Sequence, residues 1–265
     1  MPNAVRDGLE IHYEVKGEGP PLLLLPGTLS NRQVWGLVAR RLKGFRIILM
    51  DHRDSGLSSV APADYSILDL AHDAFAVLDH AGIPAAHIAG HSMGGAVAQE
   101  MALLHPERIL SLTLISTWAK TDIYSGSGMR LFALLRARLT DDREFLHANT
   151  FIVNAASQLQ YMAMEDVGEW ILHYGNLQPA PAFQRNVKAS QPHDTLDRLP
   201  GIQCPTLVIW GDEDKVFPPW HPKQLLESIP GAKELHLKGV GHMAILQAAD
   251  KVAVALAAHI GNPTA

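Results

Sequence analysis

Short apolar runs alternate along the chain with segments that carry apolar residues at helical spacing. This alternation is typical of parallel strands joined by crossover helices. Leu22 to Leu25 is a continuous apolar run that ends at Pro26-Gly27, which predicts a central strand buried on both faces. Leu9 to Val15 alternates apolar and polar residues, which predicts an antiparallel strand at the edge of the sheet. The pattern therefore predicts an α/β fold with a mostly parallel central sheet and helices on both faces.

The same alternation of strands and helices continues through the first half of the chain and returns near its end. Further strands are predicted at Phe45 to Met50, Ala86 to Ala89, Leu110 to Ile115, Thr206 to Trp210 and Lys233 to Leu237. Helices are predicted at Gln33 to Leu42, Ile67 to Ala81, Met93 to Leu104, Pro222 to Ser228 and Ala244 to His259.

The interval from Trp118 to Ser190 breaks this rhythm. Its pattern predicts helices at Met129 to Leu139, Asp142 to Thr150 and Glu165 to Leu172, without a clear strand. We expect residues 1–117 and 191–265 to form the core and residues 118–190 to form a helical cap over one end of the sheet.

Composition narrows the class of protein. Apolar residues make up 47% and charged residues 18% of 265 residues, which favours a well-packed globular domain. The net charge of −5 gives no reason to expect a nucleic-acid partner, and no apolar run is long enough to span a membrane. The start of the chain lacks the apolar region of a signal peptide, which predicts a cytoplasmic location. Oligomerisation is left open.

Neither metal nor cofactor is expected. The chain has 14 histidines, but no His-Glu-x-x-His or paired-cysteine spacing accompanies them. Its single cysteine, Cys204, stands before an apolar strand, where packing is the expected role.

Gly90-x-Ser92-x-Gly94 is the strongest chemical signal in the sequence. It follows a short apolar strand and opens a helix, the setting in which this motif marks a nucleophilic serine. The serine needs a strained turn with small neighbours, and the helix N-terminus directs its dipole at developing negative charge. A glycine-rich turn with an N-capping serine is the structural alternative.

A serine hydroxyl needs a base to take its proton and a carboxylate to orient that base. His242 lies in a loop after the last predicted strand, the position expected for the base in the chain order Ser-Asp-His. The preceding strand ends at Gly211-Asp212-Glu213-Asp214. Asp214 is the preferred acid because it stands furthest into the turn, and Asp212 is the alternative. Oxyanion donors are expected at the backbone N–H groups of Met93 and Thr28.

Together these motifs resemble the α/β-hydrolase superfamily, with small esterases, lactonases and carbon–carbon bond hydrolases among the relatives of the serine motif. The stretch from His193 through Ile209 and Asp214 is similar to 3-oxoadipate enol-lactonases. The resemblance implies Ser92, Asp214 and His242 as the catalytic triad, with Thr28 and Met93 as oxyanion donors. Two positions depart from the family pattern, since Pro26 stands where histidine is usual and Asp54 where glycine is usual.

The predicted activity is acyl transfer from a small, largely apolar ester or lactone to Ser92 and then to water. Carbon–carbon bond hydrolysis and cofactor-free perhydrolysis use the same triad, and a ligand-sensing protein of this fold is the alternative from another class. Residues predicted to line the substrate pocket are Leu29, Met129, Phe132, Tyr161, Trp170 and Met243.

Overall fold

The computed structural model describes residues 2–161 and 177–261, and an eight-stranded sheet forms the centre of that part of the chain. The strands are β1 (Asn3–Arg6), β2 (Leu9–Lys16), β3 (Pro21–Leu25), β4 (Arg46–Met50), β5 (Ala86–His91), β6 (Ile109–Ile115), β7 (Thr206–Gly211) and β8 (Lys233–Leu237). They lie in the order β1-β2-β4-β3-β5-β6-β7-β8. The β1–β2 and β2–β4 pairs are antiparallel and every later pair is parallel. The predicted fold class is confirmed.

Helices connect and cover these strands. The α-helices are α1 (Gly36–Ala39), α2 (Ile67–His80), α3 (Met93–Leu104), α4 (Ile123–Arg138), α5 (Asp142–Val153), α6 (Ala156–Leu159), α7 (Ala180–Ser190), α8 (Trp220–Ser228), α9 (Ala244–Gln247) and α10 (Ala249–Ile260). Short 3-10 helices span Arg32–Trp35, Pro106–Arg108 and Leu196–Gly201. Within the two described ranges, no helix is long and apolar enough to cross a membrane.

The core lies on both faces of the sheet, as the apolar run in β3 predicts. Leu23 and Leu25 pack in the cluster that includes residues of α2 and α3. Leu22 and Leu24 face the opposite cluster, which includes residues of α10. Because successive side chains of a strand point to opposite faces, a strand covered on both sides must be apolar throughout.

Three predicted elements differ from the structure. β2 does not form the edge, because the four residues of β1 pair beside it, and a strand this short leaves little pattern in the sequence. The single helix predicted from Gln33 is a 3-10 turn followed by the one-turn helix α1. The single helix predicted from Ala244 is divided at Ala248, whose φ of −135° and ψ of 37° are not helical.

The interval predicted as a cap carries α4, α5, α6 and α7 in its described part. α4 begins six residues before the predicted Met129 because Asp122 and Ser125 form a capping box. The sequence interpretation missed α7, since Pro179 and Pro181 look like interruptions. Pro181 instead occupies the first turn of α7, where its missing N–H costs no hydrogen bond. The predicted helix over residues 165–172 lies outside the described residues, and the cap boundaries stay a prediction.

Candidate active site

The turn between β5 and α3 holds Ser92 in a strained conformation. Ser92 has φ 54° and ψ −122°, a backbone conformation that residues other than glycine rarely adopt. The chain packs so tightly here that a Cβ on Gly90 would lie 2.1 Å from the carbonyl oxygen of Gly94. A Cβ on Gly94 would lie 2.2 Å from the carbonyl oxygen of Leu25. Both glycines are therefore required by sterics, and the turn raises Ser92 above the carboxyl end of the sheet.

Two loops after neighbouring strands bring the acid and base to the same edge. β7 and β8 pair in parallel with Gly211 opposite Leu237, so the loops that leave them lie side by side. The backbone N–H of Glu213 donates to the carbonyl of Val240 at 3.0 Å, and that of His242 donates to Val153 at 2.9 Å. These bonds fix the histidine loop against β7 and the end of α5.

The three predicted catalytic side chains meet at this edge. His242 Nε2 lies 3.0 Å from Ser92 Oγ, and His242 Nδ1 lies 3.0 Å from Asp214 Oδ2. All three residues are buried. Asp214 Oδ1 accepts hydrogen bonds from the backbone N–H groups of Val216 at 2.8 Å and Phe217 at 2.9 Å. The carboxylate is thus fixed from one side and faces the imidazole from the other.

Asp212, the alternative acid, points elsewhere. Its Oδ1 accepts from the backbone N–H of Gly239 at 2.7 Å, and its Oδ2 lies 3.7 Å from His236. Of the two aspartates, only Asp214 is hydrogen-bonded to His242.

The loop after β3 lies against the nucleophile. A Cβ on Gly27 would be 2.9 Å from Ser92 Cβ, so glycine is needed for this approach. The hydroxyl of Thr28 donates to the sulfur of Met93 at 3.4 Å, which joins the two loops that carry the predicted oxyanion donors. Neither the Thr28 nor the Met93 backbone N–H donates to another described residue. Both remain available to a substrate oxygen.

His91 links the nucleophile turn to the base loop, a contact that the sequence interpretation missed. Its Nε2 donates to the carbonyl of His242 at 2.9 Å. Burial, with a smaller effect of His242, lowers the pKa of His91 to about 3. His91 is therefore a neutral hydrogen-bond donor at neutral pH and supports the position of the base.

A pocket of about 160 Å³ opens above the triad. Helices α4, α5 and α7 contribute residues to its walls, as do the loops after β3, β7 and β8. The apolar lining residues are Leu29, Val34, Trp118, Met129, Phe132, Val153, Leu177, Phe183, Val187, Val216, Phe217, Met243 and Leu246. Within the described residues, no aspartate, glutamate, lysine or arginine lines it. The pocket suits a neutral, largely apolar molecule.

Four of the six predicted pocket residues lie in this lining: Leu29, Met129, Phe132 and Met243. The prediction for Tyr161 is wrong. Its backbone N–H closes a turn onto Gln158 after α6, and the residue is 85% exposed, because this turn faces solvent. Trp170 lies outside the described residues.

The two departures from the family pattern have separate structural settings. Pro26 accepts a hydrogen bond from His52 Nε2 through its carbonyl at 3.2 Å. Asp54 has a positive φ of 67° and lies outside the pocket lining. Its carboxylate accepts from Arg185 Nε at 2.8 Å and Nη2 at 2.7 Å, which ties α7 to the loop after β4. Arg185 is a further residue that the sequence interpretation missed.

The buried face of α5 also brings unexpected polar groups to the pocket. Phe145, Leu146, Asn149 and Thr150 are the buried residues of this helix, and the last two line the cavity. Polar residues at buried helical spacing were the available signal in the sequence. Asn154 lies at the helix end and accepts a hydrogen bond from Gln247.

Comparison with known proteins agrees with this architecture. A family model described as the α/β-hydrolase fold matches residues 20–249. RutD from Azorhizobium caulinodans, named as a candidate carbamate hydrolase, is 31% identical over 88% of each chain. The rhodomycin D methylesterase DauP from Streptomyces sp. strain C5 is 30% identical over 91% of each chain.

Solved structures of similar proteins match this chain over nearly its whole length. The enol-lactonase from Burkholderia xenovorans LB400 has a TM-score of 0.86 and 25% identity, over 98% of this chain and 99% of that one. A thermophilic esterase from Thermogutta terrifontis has a TM-score of 0.85 and 26% identity, over 99% and 97%. The prediction of a hydrolytic enzyme similar to esterases and lactonases is confirmed. Because the family match spans most of its length, the chain belongs to the α/β-hydrolase family.

Proposed function

We propose that the protein hydrolyses neutral carboxylic esters or lactones through a covalent acyl-enzyme on Ser92. One observation carries the proposal. His242 lies 3.0 Å from both Ser92 Oγ and Asp214 Oδ2, and this arrangement opens into an apolar pocket without charged lining residues among those described. A nucleophile, a base and an orienting acid in this order constitute the arrangement that activates serine for acyl transfer.

The first half-reaction forms the acyl-enzyme. His242 Nε2 takes the proton of Ser92 Oγ as the oxygen attacks the substrate carbonyl carbon. The negative charge that develops on the carbonyl oxygen is held by the N–H groups of Thr28 and Met93. When the carbon–oxygen bond to the leaving alcohol breaks, His242 returns the proton to that alcohol. Asp214 keeps the imidazole in the required orientation and stabilises its protonated form.

The second half-reaction releases the acid. Water attacks the acyl carbon while His242 takes one of its protons, and the same oxyanion donors hold the second tetrahedral intermediate. The bond from the acyl carbon to Ser92 Oγ then breaks and Ser92 recovers its proton. For a lactone, the alcohol and the acid remain in one product molecule.

The pocket limits the substrate class. A substrate carboxylate or ammonium group would lose its hydration without a compensating charge in the described lining, which is costly. We therefore infer that the acyl and alcohol parts are neutral and mostly apolar. This inference concerns only the charge of the substrate. The assay described below determines which type of bond the protein hydrolyses.

Carbamate hydrolysis is a second candidate, because RutD of Azorhizobium caulinodans is 31% identical to this chain. The same serine attack on a carbamate gives a carbamoyl-enzyme in place of an acyl-enzyme. Continued turnover of an aryl carbamate would favour this candidate over the ester. A single burst followed by inactivation would favour the ester, because a carbamoyl group on serine is released slowly.

The deciding experiment is hydrolysis of p-nitrophenyl esters with two- to eight-carbon acyl chains by wild type, Ser92→Ala and Ser228→Ala. Ser228 lies at the end of α8, away from the pocket lining, and serves as the matched control. We expect turnover on the order of 10 per second in wild type and in Ser228→Ala. Ser92→Ala should lose it, and a fluorophosphonate should label the wild-type peptide that contains Ser92.

Each contrary result has a distinct meaning. Activity retained by Ser92→Ala would refute Ser92 as the nucleophile. Labelling of Ser92 with one turnover or fewer would support the ligand-sensing alternative, and activity on vinylogous diketones alone would support carbon–carbon bond hydrolysis. The cytoplasmic location and the limits of the cap remain predictions from the sequence.

A further inference from the structure

Two adjacent polar residues on α5 contribute to the lining of the pocket. Thr150 is fully buried, and its Oγ1 has no hydrogen-bond partner among the described residues. Asn149 is 9% exposed, and its side-chain amide makes no hydrogen bond with another described residue. Both line the cavity above Ser92. Buried polar groups are nearly always hydrogen-bonded, so the unpaired hydroxyl of Thr150 requires an explanation.

Local backbone bonding does not supply that explanation. The carbonyl of Thr150 accepts from Asn154 Nδ2 at 2.8 Å and from the backbone N–H of Asn154 at 3.2 Å. Those bonds close the end of α5 and leave the Thr150 hydroxyl unused. A threonine inside a helix often returns its hydroxyl to a carbonyl one turn earlier, and Thr150 makes no such bond.

Two other polar residues of the same pocket, Ser190 and Asn154, are satisfied within the protein. Ser190 Oγ donates to the carbonyl of Asn186 at 2.9 Å, although Ser190 also lines the cavity. Asn154 is bonded at both ends of its amide, to Thr150 and to Gln247. His91 Nδ1 is also unpaired in this lining, and Asn149 and Thr150 are the unpaired side chains that α5 contributes to it.

We propose that Asn149 and Thr150 form a polar subsite that binds a neutral hydrogen-bonding group of the substrate, such as a ketone or hydroxyl, away from the scissile bond. The proposal rests on the proposed ester hydrolysis. An amide offers both a donor and an acceptor, and a hydroxyl does the same, so the pair can bind either kind of group. A carboxylate is disfavoured because no described lining residue carries a positive charge.

Such a subsite discriminates strongly between substrates with and without the hydrogen-bonding group. A pocket built to hydrogen-bond a substrate group rejects the analogue without it, because the protein's own polar atoms are then left unpaired. We expect an ester with a correctly positioned ketone to have a kcat/KM about 10-fold or more above that of its parent ester of equal length.

The test compares pairs of aliphatic esters that differ by one ketone, with the ketone moved along the acyl chain in one series and along the alcohol in another. Acid release is followed with a pH indicator for wild type, Thr150→Val, Thr150→Ser and Asn149→Leu. We expect one ketone position to be preferred by wild type and by Thr150→Ser, which retains the hydroxyl. Thr150→Val and Asn149→Leu should bring the ratio of the two kcat/KM values close to one.

A matched control and a stability measurement separate binding from structure. Ser190→Ala removes a pocket hydroxyl that is already bonded within the protein, so it should keep the ketone preference. Thr150→Val should not lower Tm, because the hydroxyl it removes has no described partner. A fall in Tm of several degrees would overturn the proposal by showing that the hydroxyl is bonded inside the free protein.

The remaining outcomes are distinct for the two proposals. Hydrolysis of the parent esters with no ketone preference at any position overturns the subsite and leaves the proposed function standing. A preference that survives both Thr150→Val and Asn149→Leu also overturns it. If no ester of either series is hydrolysed, the proposed function fails, and the subsite fails with it.

Discussion

The ion pair between Asp54 and Arg185 joins α7 to the loop after β4, and Arg185→Met tests how much stability depends on it. The guanidinium donates to the carboxylate through Nε and Nη2 at 2.8 and 2.7 Å. The Asp54 side chain is fully buried, whereas that of Arg185 is 19% exposed. Methionine keeps the apolar stem of Arg185 and removes the charge, so the carboxylate would remain buried without its cation.

The expected loss of stability in Arg185→Met depends on which hydrogen bonds the Asp54 carboxylate retains. Removing one partner of a buried ion pair costs about 3–5 kcal/mol. Here Asp54 Oδ1 still accepts from the backbone N–H of Ala61 at 2.9 Å. We therefore expect the low end, about 3 kcal/mol, for Arg185→Met. For a chain of this size that lowers Tm by about 6–12 °C.

Asp54→Gly supplies the second corner of a double-mutant cycle. Glycine relieves the positive φ of 67°, a strain of about 1–2 kcal/mol, and removes the carboxylate that Arg185→Met would leave unpaired. It also loses the bond from Ala61, worth about 1 kcal/mol. In the Asp54→Gly background, Arg185→Met should cost less than about 1 kcal/mol. The coupling energy between the two sites is then about 2 kcal/mol.

Urea unfolding and calorimetry of wild type, both single variants and the double variant measure this cycle. Arg130→Met, at an exposed position of α4, is the control and should change stability by less than about 0.5 kcal/mol. Additive effects, with a coupling energy below about 0.5 kcal/mol, would refute the reasoning. So would an Arg185→Met protein with the Tm of wild type.

Four further predictions concern the site and its surroundings. Asp214→Asn should lower kcat/KM for a p-nitrophenyl ester by about 10³–10⁴-fold, and a loss below tenfold would contradict its orienting role. Gly94→Ala should give no folded protein, because its Cβ would lie 2.2 Å from a carbonyl oxygen of β3. Gly128→Ala should raise Tm in the same thermal scan, since its Cβ meets nothing within 4 Å and alanine favours α4 by about 1 kcal/mol. Burial lowers the pKa of His52 to about 4 and of His91 to about 3, from 6.5, so the unfolded chain binds more protons. The contribution of these histidines to the free energy of unfolding is therefore fully present above pH 6.5. It decreases as the pH is lowered from 6.5, by up to about 1.4 kcal/mol per pH unit for each histidine. Urea unfolding between pH 7.5 and 5 measures this, and a flat profile would contradict it.

Local chemistry determined much of this protein from its sequence. The run Leu22 to Leu25 predicts a strand covered on both faces, because successive residues of a strand point to opposite sides. The spacing Gly90-x-Ser92-x-Gly94 predicts the tight turn into α3, because a Cβ on Gly90 would lie 2.1 Å from the carbonyl oxygen of Gly94. Both features depend on neighbours within a few residues, so a single sequence contains them.

Short or interrupted elements were predicted less well, because their local sequence signal is ambiguous. β1 has four residues, too few for an alternation to be recognised beside β2. Pro181 looked like a helix breaker, although the first turn of a helix tolerates proline because its N–H groups have no helical partner. In each case the sequence signal was present but consistent with two structures.

The tertiary structure alone decided which polar groups meet. The sequence favoured Asp214 but left Asp212 as an alternative acid, and in the structure Asp212 bonds Gly239 whereas Asp214 bonds His242. The pairing of Asp54 with Arg185 and the position of Thr150 in the pocket lining likewise depend on how α5 and α7 lie on the sheet. Hydrogen bonds act over about 3 Å, whereas these partners are separated by up to 131 positions along the chain. Only packing of the whole chain fixes such distances.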